Sequence, residues 1–409
     1  MNTKTKWIIG ISITLGLIFI SLIVYFIFFG KICCIPEDNQ KDNQTTGMPK
    51  CESDKELFTQ SPIAFEDLFI IIPLGNLGPP AHTFPTDHMY FRVNYEEEGN
   101  FESPTILAPV YAPGDIWITT IKSMEKSGGG EETETDHVLR FSPCQEFKGY
   151  FNHVVSLSPK LEKEFEKNKE GSCDEYQTGG FTYKSCTASV QIKVEAEEEI
   201  GTAGGPGYQS ALDFGAIDER INPNEFANAD RWYEGKTQIV CPLDYYSKNM
   251  KEKLEALLGG HDGSTKRTIE PVCGTNAQDK VGTAQGIWFV KDTKEVGSED
   301  LHMALVHDNI NPSRAAFSIG NSIKGLEGEL AYYIPVDSGL INRDFGDVKS
   351  DGNVYCYEPW DRFNMNNPLP FTIILELTAD DKLRIEKRNQ TTCGNGPWQF
   401  SSSYADFER

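Results

Sequence analysis

Three clusters in the first half of the chain carry residue types that can do chemistry. PAHTFPTDH, over residues 80–88, holds His82, Asp87 and His88. APVYAPGD, over residues 108–115, ends in Asp115. GYFNHV, over residues 149–154, supplies His153 and is followed by EIGTAGG at 199–205 and ALDFG at 211–215, which holds Asp213. Imidazoles and carboxylates ligate divalent metals and carry protons. Metal binding and acid–base hydrolysis are therefore the chemistries on offer.

Taken in order, these segments resemble the lysostaphin/LytM-type zinc endopeptidases, which have the duplicated hybrid motif fold. Members carry H-x-x-x-D, a PVYAP-DG strand turn, a Y-x-H-L strand, G-x-x-I-G-x-x-G and a final H-L-H-F strand. The resemblance covers roughly residues 70–220. It implies a compact antiparallel β domain. It also implies a zinc held by the His and Asp of the first motif and the second His of H-x-H. On this chain the metal residues become His82, Asp87 and Asp213, with His88 as a substitute. His153 stands where the family keeps a catalytic histidine, which would orient a metal-bound water or take its proton.

The chain departs from that pattern in two places. His82 and Asp87 are five apart rather than four, and the H-x-H positions hold Ala211 and Asp213. One catalytic histidine is absent and one zinc ligand is a carboxylate, which can ligate zinc at about 2.0–2.2 Å. Losing a proton donor or oxyanion stabiliser commonly costs about 10²–10³ in rate. The expectation is a degenerate metallopeptidase-like domain, a pseudoenzyme that binds or scaffolds at the cell envelope, with no cofactor or with zinc. A peptide, a glycan or a protein is the expected envelope ligand. The first alternative is a surface zinc endopeptidase with an atypical His/Asp/Asp site. The second is a purely structural ectodomain or adhesin.

Other motifs carry less. GTAGGPG at 201–207 lacks the Gly-Lys-Ser/Thr ending of a P-loop and precedes a strand rather than a helix, so it reads as a loop beside the cleft. Residues 195–199 hold four glutamates and read as a solvated turn. Gly286-Ile-Trp288 is similar to the G-x-W of lipocalin barrels, but three residues do not define a family, and Trp288 reads as core. His302, His307 and Asp308 fall on one strand and its end with no third metal ligand evident. There is no G-x-S-x-G elbow, and no cysteine sits in a nucleophile context.

The elements that must position these residues are mostly strands. Apolar or alternating runs at 68–74, 89–95, 105–121, 138–141, 150–157, 189–194 and 211–217 read as strands of a β domain over 63–220. Ser158-Pro159 marks the start of a short helix to about residue 167. Residues 218–235 change character and mark a boundary. A second β-rich domain over 221–409 opens with a helix at 247–258 and contains a hairpin at 371–386.

Ahead of the β domains, residues 7–29 are 23 residues without a charge. As a helix they reach about 34 Å, enough to span a hydrocarbon core of about 30 Å. Residues 1–31 therefore read as a cytoplasmic tip and transmembrane anchor, and 32–62 as a polar stalk. The ectodomain is expected outside the cell membrane. Ten cysteines support that compartment. Cys33 and Cys34 abut the span, and the other eight form an even set. Local pairing suggests Cys173–Cys186, Cys241–Cys273 and Cys356–Cys393, with connectivity left open. Asn43 and Asn389 sit in glycosylation sequons. The net charge of −23 argues against a nucleic-acid partner, which needs a basic face.

Overall fold

The computed structural model describes residues 47–409 apart from 53–55, 129–130, 179–180, 206–209, 233–234, 294–297 and 363–366. The expected membrane helix at 7–29, Cys33, Cys34, Asn43 and the first part of the stalk lie outside the described residues. Among those described, no helix is long and apolar enough to cross a membrane. Gly47–Arg409 forms one compact unit. Its described residues are mainly β, with two short α-helices, α1 (Pro159–Asn168) and α2 (Lys248–Glu255).

The N-terminal lobe is built on a nine-stranded antiparallel sheet. In spatial order it runs β1 (Leu68–Ile72), β2 (His88–Val93), β11 (Ala211–Asp218), β6 (Phe147–Val154), β5 (Glu131–Cys144), β4 (Ile116–Gly128), β9 (Phe181–Val194) and β8 (Cys173–Thr178), with β12 (Ile239–Val240) on β11. Strand alternation decides which side chains meet. Met89, Phe91, Phe151, Leu212 and Phe214 point to one face and are buried in the core. Phe58 closes that core, with its ring against Phe141, Phe147, Phe214 and Tyr246.

A three-stranded sheet of β3 (Leu107–Tyr111), β10 (Glu199–Gly204) and β7 (Ser156–Leu157) adds to the same core. Here the structure differs from the loop expected at 201–207, because residues 201–204 pair with β3. Their glycines permit it: a Cβ on Gly201 would meet the Ser156 carbonyl oxygen at 2.3 Å, and one on Gly204 the Ile106 carbonyl oxygen at 2.2 Å. What reads in sequence as loop composition is here a demand for close backbone approach. α1 follows Ser158 with Pro159 in its first turn, and its buried Leu161 and Phe165 dock on the sheet.

The sequence places the lobe boundary near residue 220. The N-terminal core extends further, taking in Cys241, Leu243, Tyr246, Leu254, Leu258 and Cys273. Leu254 lies on the apolar face of α2, and the disulfide Cys241–Cys273 closes the segment around it. Three more disulfides join Cys51–Cys144, Cys173–Cys186 and Cys356–Cys393.

The C-terminal lobe is a second nine-stranded antiparallel sheet. Its order is β17 (Tyr355–Tyr357), β19 (Thr372–Ala379), β20 (Lys382–Arg388), β21 (Ala405–Glu408), β13 (Gly286–Val290), β14 (Met303–His307), β15 (Ala315–Ile319), β16 (Leu330–Tyr333) and β18 (Trp360–Asp361). The two ends of this path, β17 and β18, are neighbours in the chain, so the sheet curls on itself. β13 joins the two halves of the sheet by pairing first with β14 and then with β21. Trp288, Phe317, Tyr333, Phe345 and Tyr357 fill the interior. Trp288 donates to the Ala284 carbonyl at 2.8 Å, and the Arg409 guanidinium lies 4.0 Å from its ring centre.

The alternate residues of β13 to β16, among them Ile287, Phe289, Val306 and Ala316, face outward and pack on Leu77, Phe84 and Phe226. Leu77 and Phe84 belong to the loop between β1 and β2, which also carries His82 and Asp87. The C-terminal lobe thus buttresses that loop. The Ser318 hydroxyl donates to the Thr83 carbonyl at 2.7 Å, and Glu299 accepts from the Phe84 amide at 3.1 Å.

His307, His302 and Asp308 do not converge. His302 is buried, stacks on Phe84, and burial with the nearby Arg231 pushes its pKa down to about 4. Asp308 binds Arg314 and the amides of Ile310 and Asn311. His307 pairs with Asp344 at 3.1 Å. The Asp344 bond raises the His307 pKa above 6.5, and the His307 bond lowers the Asp344 pKa below 3.8. The His307 contribution is complete below its unfolded pKa and fades as pH rises through the folded one; the Asp344 contribution fades in acid. The pair should therefore stabilise the lobe most between about pH 4 and 6.5. Urea unfolding should show His307→Gln losing most stability near pH 5.5 and least above pH 8. A pH-independent loss would refute the pairing.

Candidate functional site

The solvent-side face of β2, β11 and β6 gathers polar groups in register. His88 lies opposite Gly215, which lies opposite Tyr150; Tyr90 lies opposite Asp213, which lies opposite Asn152. Directly paired residues share a face, so these side chains project together, away from the phenylalanine core.

His153 needs a further device. Along β6, Phe151 points inward, so strict alternation would send His153 into the core as well. Three residues on β5, His137 to Leu139, lie opposite four on β6, Phe151 to Val154. This is a β-bulge, and bulges re-aim side chains. His153 takes φ 63°, a left-handed conformation costly for a residue with a side chain. The outcome is that His153 joins Asn152 on the polar face, while Val154 returns to the core.

Asp213 is the point of convergence. Its Oδ2 lies 3.4 Å from His88 Nε2 and 3.4 Å from His153 Nε2, and it accepts from Asn152 Nδ2 at 3.3 Å. The far nitrogen of each imidazole is held by another carboxylate. His88 Nδ1 lies 3.0 Å from Asp87, and His153 Nδ1 lies 3.0 Å from Asp136. Such pairing fixes ring orientation and turns each Nε2 towards Asp213. Asp87 is itself held by the Tyr150 hydroxyl at 2.7 Å and by the buried Lys236 ammonium at 3.4 Å. His82 completes the group, its ring centre 5.5 Å from that of His88.

The site is deep at Asp213, which is 2% exposed, and open at His153, whose side chain is 39% exposed. Burial disfavours charge on His88, but Asp213 and Asp87 outweigh it and raise its pKa. Burial also opposes charge on His153, where Asp136 and Asp213 prevail and raise it. Among the described residues His82 has no such partner in contact: burial and the neighbouring His88 lower its pKa, leaving it neutral at pH 7. Burial and Asp213 push the Tyr90 phenol up. Among the described residues, the buried atoms His88 Nε2, Asp136 Oδ1 and Asp213 Oδ1 have no hydrogen-bond partner.

Of the residues singled out in the sequence, His82, His88, His153 and Asp213 are brought together. Asp87 is brought to the back of His88 rather than to its front. Asp115 is elsewhere: it accepts from the Ala196 amide at 3.0 Å. Asp136, Tyr150, Asn152 and Lys236 were not foreseen. Asp136 lies in an acidic run, ETETD, where nothing in the spacing distinguishes it, and Lys236 lies far along the chain. Among the described residues no group of three or more His, Cys, Asp or Glu side chains is arranged so that it could hold a metal ion as it stands.

Gly215 is needed for this arrangement. A Cβ there would meet the Tyr150 ring at 2.1 Å, so the ring lies directly over the glycine on its way to Asp87. Gly215→Ala should displace Tyr150, break its bond to Asp87 and destabilise the lobe by about 1–3 kcal/mol. Denaturant unfolding measures the loss, and an unchanged stability would refute the close packing. Comparison of the chain with family models, curated proteins and solved structures finds no match.

Proposed function

We propose that His88, His153 and Asp213 hold a divalent metal, zinc being the best fit, in a peptidase-like domain that resembles the lysostaphin/LytM type. One observation carries this reading: two imidazole Nε2 atoms face one carboxylate oxygen at 3.4 Å each, with both Nδ1 atoms held by acids. That separation is long for a hydrogen bond. It suits ligands of one tetrahedral zinc, whose bond lengths of about 2.0–2.1 Å set neighbouring donors about 3.3 Å apart. Asp213 Oδ1, buried and without a hydrogen-bond partner among the described residues, supports it further, since buried polar atoms are rarely left unpaired. Asp87 and Asp136 then serve as outer partners of the two histidines.

Zinc with three protein ligands keeps an open position and supplies a water of pKa about 7. The chain's own groups suit hydrolysis around it. His82 is neutral and half-buried, so it can take a proton from a water beside His88. Lys236 and Tyr150 keep Asp87 oriented on His88. His153 opens the site to solvent for an extended peptide. Binding without cleavage is the second reading, favoured by Ala211, which occupies the place of a family histidine. In both readings the four disulfides suit an extracellular domain. We place it on the outer side of a membrane through residues 7–29.

Metal content of the purified chain tests the proposal. Mass spectrometry should find near-stoichiometric zinc in the wild type and little in Asp213→Ala or His88→Ala. Absence of metal in a folded, zinc-supplemented wild type would refute it. If metal is present, peptide hydrolysis that falls about 10²-fold or more in His82→Ala separates catalysis from binding.

A further inference from the structure

The polar face continues along β2 beyond Tyr90. Alternation places Arg92 on the same face as His88 and Tyr90, opposite Ala211 on β11. Arg92 is half-buried, yet no carboxylate pairs with it among the described residues, in a chain with 61 acids. It is held instead by neutral groups. Nη1 donates to His261 Nδ1 at 2.9 Å, and Nη2 donates to the Tyr95 hydroxyl at 2.7 Å and to Ser210 Oγ at 3.1 Å. Burial and Arg92 itself push the His261 pKa down to about 4, so the imidazole is uncharged and leaves the arginine's charge intact.

Ala211 presents only a methyl group where the resemblance expects an imidazole. Beyond Arg92 the face ends in aromatic rings, with Phe101 packed on Tyr95 at 5.4 Å and 54% exposed. Asp213 lies opposite Tyr90, so Arg92 stands two residues, or about 7 Å, along the strand from the proposed metal centre.

We propose that Arg92 is a specificity residue that binds a carboxylate of the ligand, so that the peptide recognised here is acidic close to the metal-facing bond. This rests on the metal reading above. Guanidinium recognises carboxylate through charge-assisted hydrogen bonds, and the neutral neighbours of Arg92 orient it without neutralising it.

A matched pair of probes tests the inference: adipic acid monohydroxamate and its terminal-amide counterpart, titrated calorimetrically into the zinc-loaded full chain. The acid should bind at least about tenfold tighter than the amide. Arg92→Gln should abolish that advantage, so that acid and amide bind alike. Arg92→Lys, which keeps the charge and loses the planar donor fork, should retain part of it; should Arg92→Gln not fold, this variant and the wild-type pair decide. Equal binding of acid and amide by the wild type overturns the role of Arg92 while leaving the metal site standing. No binding of either probe overturns the metal site, and the Arg92 inference falls with it.

Discussion

The Asp213 carboxylate, buried between two imidazoles, is the constraint on which the surrounding structure depends. A buried carboxylate is costly unless paired. Here its partners come from two other strands, and each partner needs an acid of its own to stay in place. The demand therefore spreads outward, from Asp213 to His88 and His153, then to Asp87 and Asp136, then to Tyr150 and Lys236. Each shell takes residues from elements distant in sequence. Only an antiparallel sheet with β2, β11 and β6 side by side brings them together. The bulge at His153 and the bare Cα of Gly215 are local departures from regular strand geometry that this arrangement requires.

The C-terminal lobe shares in that constraint. Its interior is filled by aromatic side chains, and its outer face supports the loop that carries His82 and Asp87. Phe84, set between those two residues, is fully buried against Phe289, Trp232 and His302. Burial of one phenylalanine side chain contributes roughly 2–3 kcal/mol, enough to hold a loop that carries two site residues. The lobe thus bears on the site from behind, by packing.

Much of the β architecture was legible from hydrophobic alternation. The strands at β1, β2, β4, β6 and β11, the helix after Ser158 and the late hairpin all announce themselves by period and by turn residues. Three of the four disulfides follow local pairing, whereas Cys51–Cys144 spans 93 residues and has no local signature. The glycine-rich stretch at 201–204 misleads, because its composition is that of a loop while its backbone is paired on both sides. At the site, His82, His88, His153 and Asp213 stand out by residue type. Asp136 and Lys236 do not, since acids and lysines are common here and their value lies in register alone. The bulge that re-aims His153 leaves no mark in the sequence.

The Cys51–Cys144 bridge also has a mechanical meaning. It joins the segment ahead of Phe58 to the end of β5, a strand paired on both sides within the sheet. Tension applied to the chain ahead of Cys51 is carried by a covalent bond into the end of β5. From there it acts on hydrogen bonds to β4 and β6 in concert instead of peeling residues 56–62 away one at a time. Load entering ahead of Cys51 thus reaches the sheet without first displacing the Phe58 plug that closes the core.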